Sequence, residues 1–209
     1  MESEFRAIES SLGNSGAPAN PLRLGILTTL DAAFVARIGK TYSGDRRLIF
    51  AEGSDTDLRR RLSDNRLDAV VTCLRENEKE YALFEESYGM LLSSQHRLAS
   101  RSSLVAEELA GETMVARRSC EILSATSQFF ITRGVRPHFI MRSVNDERCL
   151  AIVREGLAIT TAPQSLASAG LVHVPLDGYD FRRAIGVLAA DSAVHKLIDH
   201  ACREALIPS

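Results

Sequence analysis

The sequence predicts an α/β fold in which a mostly parallel sheet is buried between helices. The first observation is that short apolar runs and amphipathic segments alternate as β-α-β-α-β over Leu22–Thr72. The second is that the same alternation returns over Thr113–Thr161. The third is a helix that ends at Gly156 and is followed at once by a buried strand that ends at Pro163. Such alternation is typical of parallel strands joined by helices that cover both faces of the sheet.

The first half of the chain contains three predicted strands and two predicted helices. Leu58 and Leu62 lie one turn apart and give the second helix its buried face. The third strand is nearly continuous in apolar residues, which favours burial on both faces. The strands are Leu22–Leu27, Arg47–Ala51 and Leu67–Thr72, and the helices are Asp31–Lys40 and Asp55–Asp64.

The second half repeats this pattern. Gly156 can adopt the left-handed conformation that ends a helix, and the β-branched run after it is too short for another helix. The predicted strands are Glu85–Ser94, Thr113–Ala116, Phe139–Met141, Leu157–Thr161, Leu171–Val174 and Ala184–Ala190. The predicted helices are Leu104–Leu109, Ser119–Arg133, a helix from about Val144 to Gly156, and Val194–Ala205.

Composition narrows the class of protein. The chain has 209 residues, of which 45% are apolar and 25% charged, values typical of a soluble globular protein. A net charge of −2 gives no bulk attraction to nucleic acid or anionic membranes. Apolar runs such as Leu67–Leu74 are too short to span a bilayer, and charged residues interrupt the start of the chain. We therefore expect a cytoplasmic protein that does not bind membranes.

The sequence contains none of the common catalytic or metal-binding motifs. It lacks a Gly-rich phosphate loop, GxSxG and HExxH, and its five histidines are scattered. The four cysteines are widely spaced and form no CxxC or Cys/His cluster, which argues against a disulfide framework or a zinc site. We expect no catalytic residues, no metal and no cofactor, and hence a protein that is not an enzyme.

Small hydroxyl, amide and thiol residues stand where predicted strands end and helices begin. Ligands of α/β proteins bind at such edges, and helix N-termini suit a carboxylate or a phosphate. The alternative is that each residue only caps its helix, as Ser, Thr and Asn often do. Taken singly, each residue favours capping; taken together, they favour a cleft. The candidate effector-binding residues are Thr28, Thr29, Leu30, Thr72, Cys73, Arg118, Ser119, Cys120, Ser143, Asn145 and Thr160. Arg117 could add a further contact to an anion.

Four stretches together resemble the effector-binding domain of LysR-type transcriptional regulators. They are Leu22–Leu30, Phe50–Ser54 with Leu67–Val71 after it, Glu86–Ala99 and Val153–Pro163. Their order and spacing match the family from about Pro21 to Leu206. The chain departs from the family pattern at Gly44-Asp45 and at Arg97, where prolines are usual, and at Ala158, where a glycine is usual. These are loop and packing changes that leave the fold intact.

The resemblance implies two Rossmann-like α/β subdomains joined by two crossing strands, the type 2 periplasmic binding protein fold. The first subdomain would comprise residues 21–93 and 180–209, and the second residues 94–179. Residues 1–20 would be a linker-helix remnant, with an amphipathic face over Met1–Leu12, and a linker. The winged helix-turn-helix of the family would be missing. DNA would then be bound only through a domain that this chain lacks.

The resemblance also implies a function and an assembly. A small anionic effector, a carboxylate, would bind between the subdomains, and the domain would form a homodimer or a tetramer. The helices Asp31–Lys40 and Leu123–Arg133 are the candidate dimer surfaces, because the first is apolar nearly all round. The alternative for that helix is burial within its own subdomain. A solute-binding protein that feeds a transporter would share this fold, but it requires export.

A redox function is a further alternative. Cys120 lies at a predicted helix N-terminus beside Arg117 and Arg118, a setting that lowers the pKa of a thiol. It occupies the region where the peroxide-sensing branch of the family places its reactive cysteine. Cys73 is predicted on the opposite wall of the same cleft and could pair with it. The simpler interpretation, a packed cysteine without a redox role, is favoured. Cys149 and Cys202 are expected in the core.

Overall fold

The computed structural model describes residues 20–207. The predicted linker segment at the start of the chain therefore lies almost entirely outside the described residues. The first half contains β1 Leu22–Leu27, α1 Ala32–Thr41, β2 Leu48–Gly53, α2 Asp55–Ser63, β3 Ala69–Cys73 and β4 Ala82–Ser93. The second half contains β5 Thr113–Arg117, α3 Leu123–Thr132, β6 His138–Ser143, α4 Asp146–Arg154, β7 Thr160–Pro163, β8 Leu171–Val174, β9 Arg182–Ala189 and α5 Ser192–Leu206. Three short 3₁₀ helices span Glu76–Tyr81, Ala106–Leu109 and Gln164–Leu166.

Strand β4 connects two halves of the fold. Its first part, up to Ser87, pairs antiparallel with β9, and its second part, from Tyr88, pairs antiparallel with β7 and β8. The chain returns beside it, where the Tyr88 backbone N–H donates to the Phe181 carbonyl at 2.9 Å. These two passages are the crossing strands of the predicted fold, which is confirmed. The subdomain boundaries given above stay a prediction.

The first subdomain is built on the strand order β2-β1-β3-β9-β4. Strands β1, β2 and β3 are parallel, as predicted, but β9 runs antiparallel to both β3 and β4. The sheet is thus mixed rather than mostly parallel. The reason is that β9 returns directly from the second subdomain, without the helical crossover that a parallel neighbour requires.

The second subdomain also has a mixed sheet. Strands β5 and β6 are parallel, and a parallel bridge between Met114 and Ile159 links β5 to the segment before β7. Met90 and Leu92 of β4 enter one core cluster and Leu91 enters another, because successive side chains of a strand face opposite sides. All three are fully buried. This subdomain therefore has a packed core on each face of its sheet.

The first subdomain has its own core, formed where α1, α2 and α5 pack on β1 and β3. Leu24, Ile38, Leu58, Val70 and Ile198 each have 0% exposure. Within the described part of the chain, the strand pairing that the two halves share runs only along β4 and β9, which leaves room for a cleft between their separate cores. Among residues 20–207, no helix is long and apolar enough to cross a membrane.

Two element boundaries differ from the prediction in ways that affect the site. The helix predicted from Ser119 begins at Leu123, and residues 118–122 form turns before it. The strand predicted at Leu157–Thr161 covers Thr160–Pro163, and Leu157 is 63% exposed. Pairing with β4 sets that strand's register, with Tyr88 opposite Pro163, so a long-range contact overrides the local apolar pattern.

Candidate functional site

A cleft of about 1360 Å³ opens between the two subdomains. The first subdomain contributes the loop after β1, the end of β2 and the start of α2. The second contributes the turns after β5 and the start of α4. Such a position, beyond the carboxyl ends of strands, is where α/β proteins bind ligands. The polar residues that line it are Thr28, Glu52, Ser54, Asp55, Thr56, Arg118, Ser119, Glu121, Asn145, Asp146 and Glu147.

A buried arginine lies between the two subdomains. The side chain of Arg183, on β9, is only 4% exposed. Its Nε donates to Glu86 Oε1 at 2.8 Å, and its Nη1 donates to Thr29 Oγ1 and to Glu121 Oε1, both at 2.9 Å. One guanidinium therefore serves two carboxylates, one on the crossing strand β4 and one in the turn after β5.

Both carboxylates also bind the opposite subdomain. Glu86 accepts a hydrogen bond from the Ser165 backbone N–H at 2.6 Å and one from the Ser165 hydroxyl at 3.1 Å. The Glu121 carboxylate accepts from the Thr29 hydroxyl at close range and from the Tyr88 hydroxyl at 2.8 Å. Arg183, Glu86 and Glu121 therefore join the loop after β1, both crossing strands and the second subdomain.

Electrostatics keeps this cluster charged. Burial raises the pKa of Glu121, but the positive charge of Arg183 and the Thr29 and Tyr88 hydroxyls outweigh it, and the net pKa is lowered. Burial lowers the pKa of Arg183, but Glu121 and Glu86 raise it further than burial lowers it. Burial raises the pKa of Tyr88, so its hydroxyl stays protonated and donates. Each charged group is thus stabilised by a neighbouring group of opposite charge, which offsets the loss of water around it.

Two other arginines form ion pairs with carboxylates that line the cleft. Arg117, with a side chain 1% exposed, pairs with Asp146 in the first turn of α4. Arg59 donates to Asp55 at 2.7 Å, and also pairs with Glu78 at 2.8 Å. Arg117 is therefore committed to an internal partner and does not offer the contact to an anion that the sequence suggested. Arg118 is exposed and lines the cleft.

Six of the predicted effector-binding residues line the cleft: Thr28, Leu30, Arg118, Ser119, Cys120 and Asn145. Two of these also have hydrogen bonds within the protein. The Ser119 hydroxyl donates to the Val144 carbonyl at 2.9 Å, and Asn145 caps α4 by accepting from the Arg148 N–H at 2.9 Å. Asn145 therefore both caps a helix and lines the cleft, so these two interpretations do not exclude each other.

The other five predicted residues lie outside the lining. Thr29 is buried in the Arg183 cluster, and Cys73 has its sulfur 3.9 Å from Glu121 Oε1. Thr72 donates to Asp55 at 2.9 Å, and the Ser143 hydroxyl accepts from the Asn145 N–H at 3.0 Å. Thr160 is fully buried and donates to the Val115 carbonyl at 2.9 Å. Thr160 therefore stabilises the second subdomain from within.

The residues that sequence reasoning missed are Glu86, Tyr88, Glu121 and Arg183. Glu86 and Arg183 are paired in register across β4 and β9. Charged residues inside strands that are otherwise buried were the available signal, because such charges are rarely buried without a partner. Glu121 carried no such signal, since an acid in the first turn of a predicted helix is ordinarily solvated.

The redox alternative for Cys120 required a lowered thiol pKa, which the structure contradicts, whereas the favoured interpretation of a packed cysteine agrees with its burial. Burial raises the pKa of the Cys120 thiol, and Arg117 only partly opposes this. Cys120 precedes the true helix start and packs in the core of the second subdomain, with 8% exposure. Burial and the Glu121 carboxylate raise the pKa of Cys73 to about 12. Both sulfurs are thus protonated at neutral pH, which opposes reaction as thiolates. Cys149 and Cys202 are buried in the core, as predicted.

Comparison with known proteins decides the family. The family model described as LysR substrate binding domain matches residues 15–207 of this chain. The chain belongs to this family. No curated protein matches it.

Solved LysR-family regulatory domains share the fold of this LysR domain. The reduced OxyR regulatory domain from Pseudomonas aeruginosa has a TM-score of 0.67 at 17% identity, covering 92% of this chain and 98% of that chain. The CcmR regulatory domain from Synechocystis PCC6803, in complex with 2-PG, has a TM-score of 0.69 at 17% identity, covering 90% and 98%. The effector binding domain of QuiR, in complex with shikimate, has a TM-score of 0.63 at 17% identity, covering 89% and 97%. Identity this low shows the fold alone.

Removing Arg183 should destabilise this LysR domain strongly. Arg183→Met leaves Glu86 and Glu121 buried without a cation, and removing one member of a buried ion pair costs about 3–5 kcal/mol. Urea unfolding measures the loss. The matched control is Arg182→Met, one residue away on the same strand, where the arginine is 61% exposed and pairs with Glu85 at 4.0 Å. That change should alter the free energy of unfolding by less than about 1 kcal/mol. Equal losses in the free energy of unfolding for both variants would contradict the assignment of Arg183 as the buried partner of Glu86 and Glu121.

Proposed function

We propose that this chain is the effector-sensing half of a LysR-type transcriptional regulator. A small molecule binds in the cleft between the subdomains and changes the angle between them. Such a change requires a ligand that binds one angle more tightly than the other. The observation that carries the proposal is the cleft itself, which is lined by both subdomains and shares Glu121 with the Arg183 cluster. The role is one of sensing, and DNA is bound through a separate domain.

Two similar structures support a small-molecule ligand. One neighbour is the CcmR regulatory domain in complex with 2-PG, and another is the QuiR effector binding domain in complex with shikimate. Here the cleft offers one exposed cation, Arg118, and two exposed carboxylates, Glu52 and Glu147. A ligand that suits all three groups has a carboxylate for Arg118 and hydroxyl or ammonium donors for the acidic side chains. Hydroxy acids and amino acids have this combination, so we propose a carboxylate effector of that class.

Calorimetry against a panel of hydroxy acids, amino acids, plain carboxylates and amines tests this proposal. For a carboxylate ligand, Arg118→Gln should weaken binding by about tenfold or more, a loss of about 1.4 kcal/mol, because a charge-assisted contact is removed. Arg148→Gln is the control, since Arg148 is also exposed but is not among the residues that line the cleft. Ser119→Ala should also weaken binding. Binding of amines alone, or a ligand unaffected by Arg118→Gln, would contradict the carboxylate proposal.

We also propose that the domain forms a homodimer through α1 and α3. Helix α1 buries Phe34 and Ile38 in its own subdomain, whereas Ala33 and Ala36 are exposed. On α3, Ile131 is 65% exposed. Small residues on one helix and an exposed apolar side chain on the other suit close helix packing between two copies. The alternative, burial of α1 within its own subdomain, accounts for only one face of this helix.

Light scattering tests the dimer. One chain has a mass of 22.9 kDa, so a dimer should give twice that value at micromolar concentration. Ala36→Glu should return the mass to that of a monomer, because a carboxylate placed in an apolar contact is desolvated without a partner. Ala110→Glu, at an exposed alanine of the second subdomain, is the control and should leave the dimer intact. A monomeric unmodified chain would contradict the proposal.

A further inference from the structure

The Glu121 side chain makes the contacts expected of a bound carboxylate. Its backbone belongs to the turns between β5 and α3, in the second subdomain. Its carboxylate binds Thr29 after β1, Tyr88 on β4 and Arg183 on β9. The residue as a whole is exposed and lines the cleft, but its side chain is only 17% exposed. A group from one wall of the cleft is thus buried among donors of the other wall and of the crossing strands.

These donors form a site that requires an anion. Thr29 is 1% exposed, Tyr88 is 2% exposed, and Arg183 is 6% exposed. Glu86 takes the Nε side of Arg183, which leaves Nη1 for a second carboxylate. If Glu121 moved away, this N–H and the Tyr88 hydroxyl would lose their charged acceptor in a buried place, which is unfavourable. The site is therefore satisfied only while a carboxylate occupies it.

The neighbouring helix N-termini that line the cleft also have their own acids. Helix α2 starts with Asp55 beside its Ser54 cap, and α4 starts with Asp146 and Glu147 beside its Asn145 cap. An external anion would meet like charge at both places. Glu121 belongs to the same pattern, but it alone among these acids reaches across to the other subdomain.

We propose that Glu121 is a built-in carboxylate ligand of this domain. It fills the anion site formed by Thr29, Tyr88 and Arg183, and it holds the two subdomains together without an external anion. The inference deepens the proposed function in one respect. The carboxylate of an effector is directed to Arg118, because the Arg183 site is occupied, and the basal angle of the cleft is set by the protein itself.

Chemical rescue by a free carboxylate tests the inference, and it needs no knowledge of the effector. Glu121→Ala should lower the melting temperature by several degrees and leave a vacant anion site. Acetate should then raise the melting temperature of this variant more than chloride does at equal ionic strength and pH. Each chain also carries Arg118→Gln, so that acetate cannot act at the proposed effector site. With Glu121 intact, such a chain should respond equally to the two salts, because Glu121 already occupies the Arg183 site. Glu204→Ala removes an exposed carboxylate on α5, outside the cleft lining, and should show no selective response to acetate.

Several outcomes would overturn the inference. Selective stabilisation by acetate of the Arg118→Gln chain with Glu121 intact would show that an anion site other than Arg118 is vacant despite Glu121. A Glu121→Ala variant as stable as the unmodified chain, or rescued equally by chloride, would show that the site does not require a carboxylate. If Glu121→Ala does not fold, Glu121→Gln keeps the shape and removes the charge, and it should lose stability without a response to acetate; unchanged stability would count against the proposal. None of these results depends on the effector panel, so the two proposals fail separately.

Discussion

The structure depends on one buried guanidinium shared by two carboxylates. Arg183 sits on a crossing strand with 4% of its side chain exposed, between Glu86 and Glu121. Ions in such a place are costly to desolvate, and they persist only when opposite charges and hydrogen bonds replace the lost water. Here the replacement groups come from both subdomains. The same contacts that neutralise Arg183 therefore hold the cleft in one arrangement.

This arrangement explains how a cleft with separate cores on either side can have a defined angle. Strands β4 and β9 are the only paired strands shared by the two halves among residues 20–207. Two strands alone permit bending, whereas a buried ion cluster beside them favours one angle over the others. Hydrogen bonds to charged groups contribute about 1.5–3 kcal/mol each. The cluster can therefore favour one angle between the subdomains by a few such contributions, a difference that a bound ligand can offset.

Local patterns predicted the parts of the fold that are themselves local. The spacing of apolar residues predicted β1 and β8 at their observed bounds, because short buried strands with turn residues at both ends leave little choice. Small polar residues at strand ends predicted Thr28, Ser119 and Asn145 in the cleft lining. The start of α3 was missed because Ser119 resembles a helix cap, whereas its hydroxyl bonds to Val144 instead. That error placed Cys120 at a helix N-terminus and gave the redox alternative part of its support for a lowered thiol pKa.

Local sequence patterns could not predict the Arg183 cluster. Glu86 and Arg183 lie 97 positions apart in sequence, and Glu121 and Arg183 lie 62 apart. Only the register of β4 against β9 and the closing of the two subdomains bring them together. No local pattern distinguishes Glu121 from a solvated acid at the start of a helix.

The distance between the subdomains tests most directly whether the Arg183 cluster sets their angle. Spin labels at Ser63→Cys on α2 and Ala110→Cys in the second subdomain stand on exposed positions away from the proposed dimer helices. Electron–electron double resonance on the Ala36→Glu chain, which should be monomeric, should give one narrow distance distribution. The same labels with Arg183→Met should give a broader distribution, whereas Arg182→Met should leave it narrow. An unchanged narrow distribution in a folded Arg183→Met variant would contradict the account.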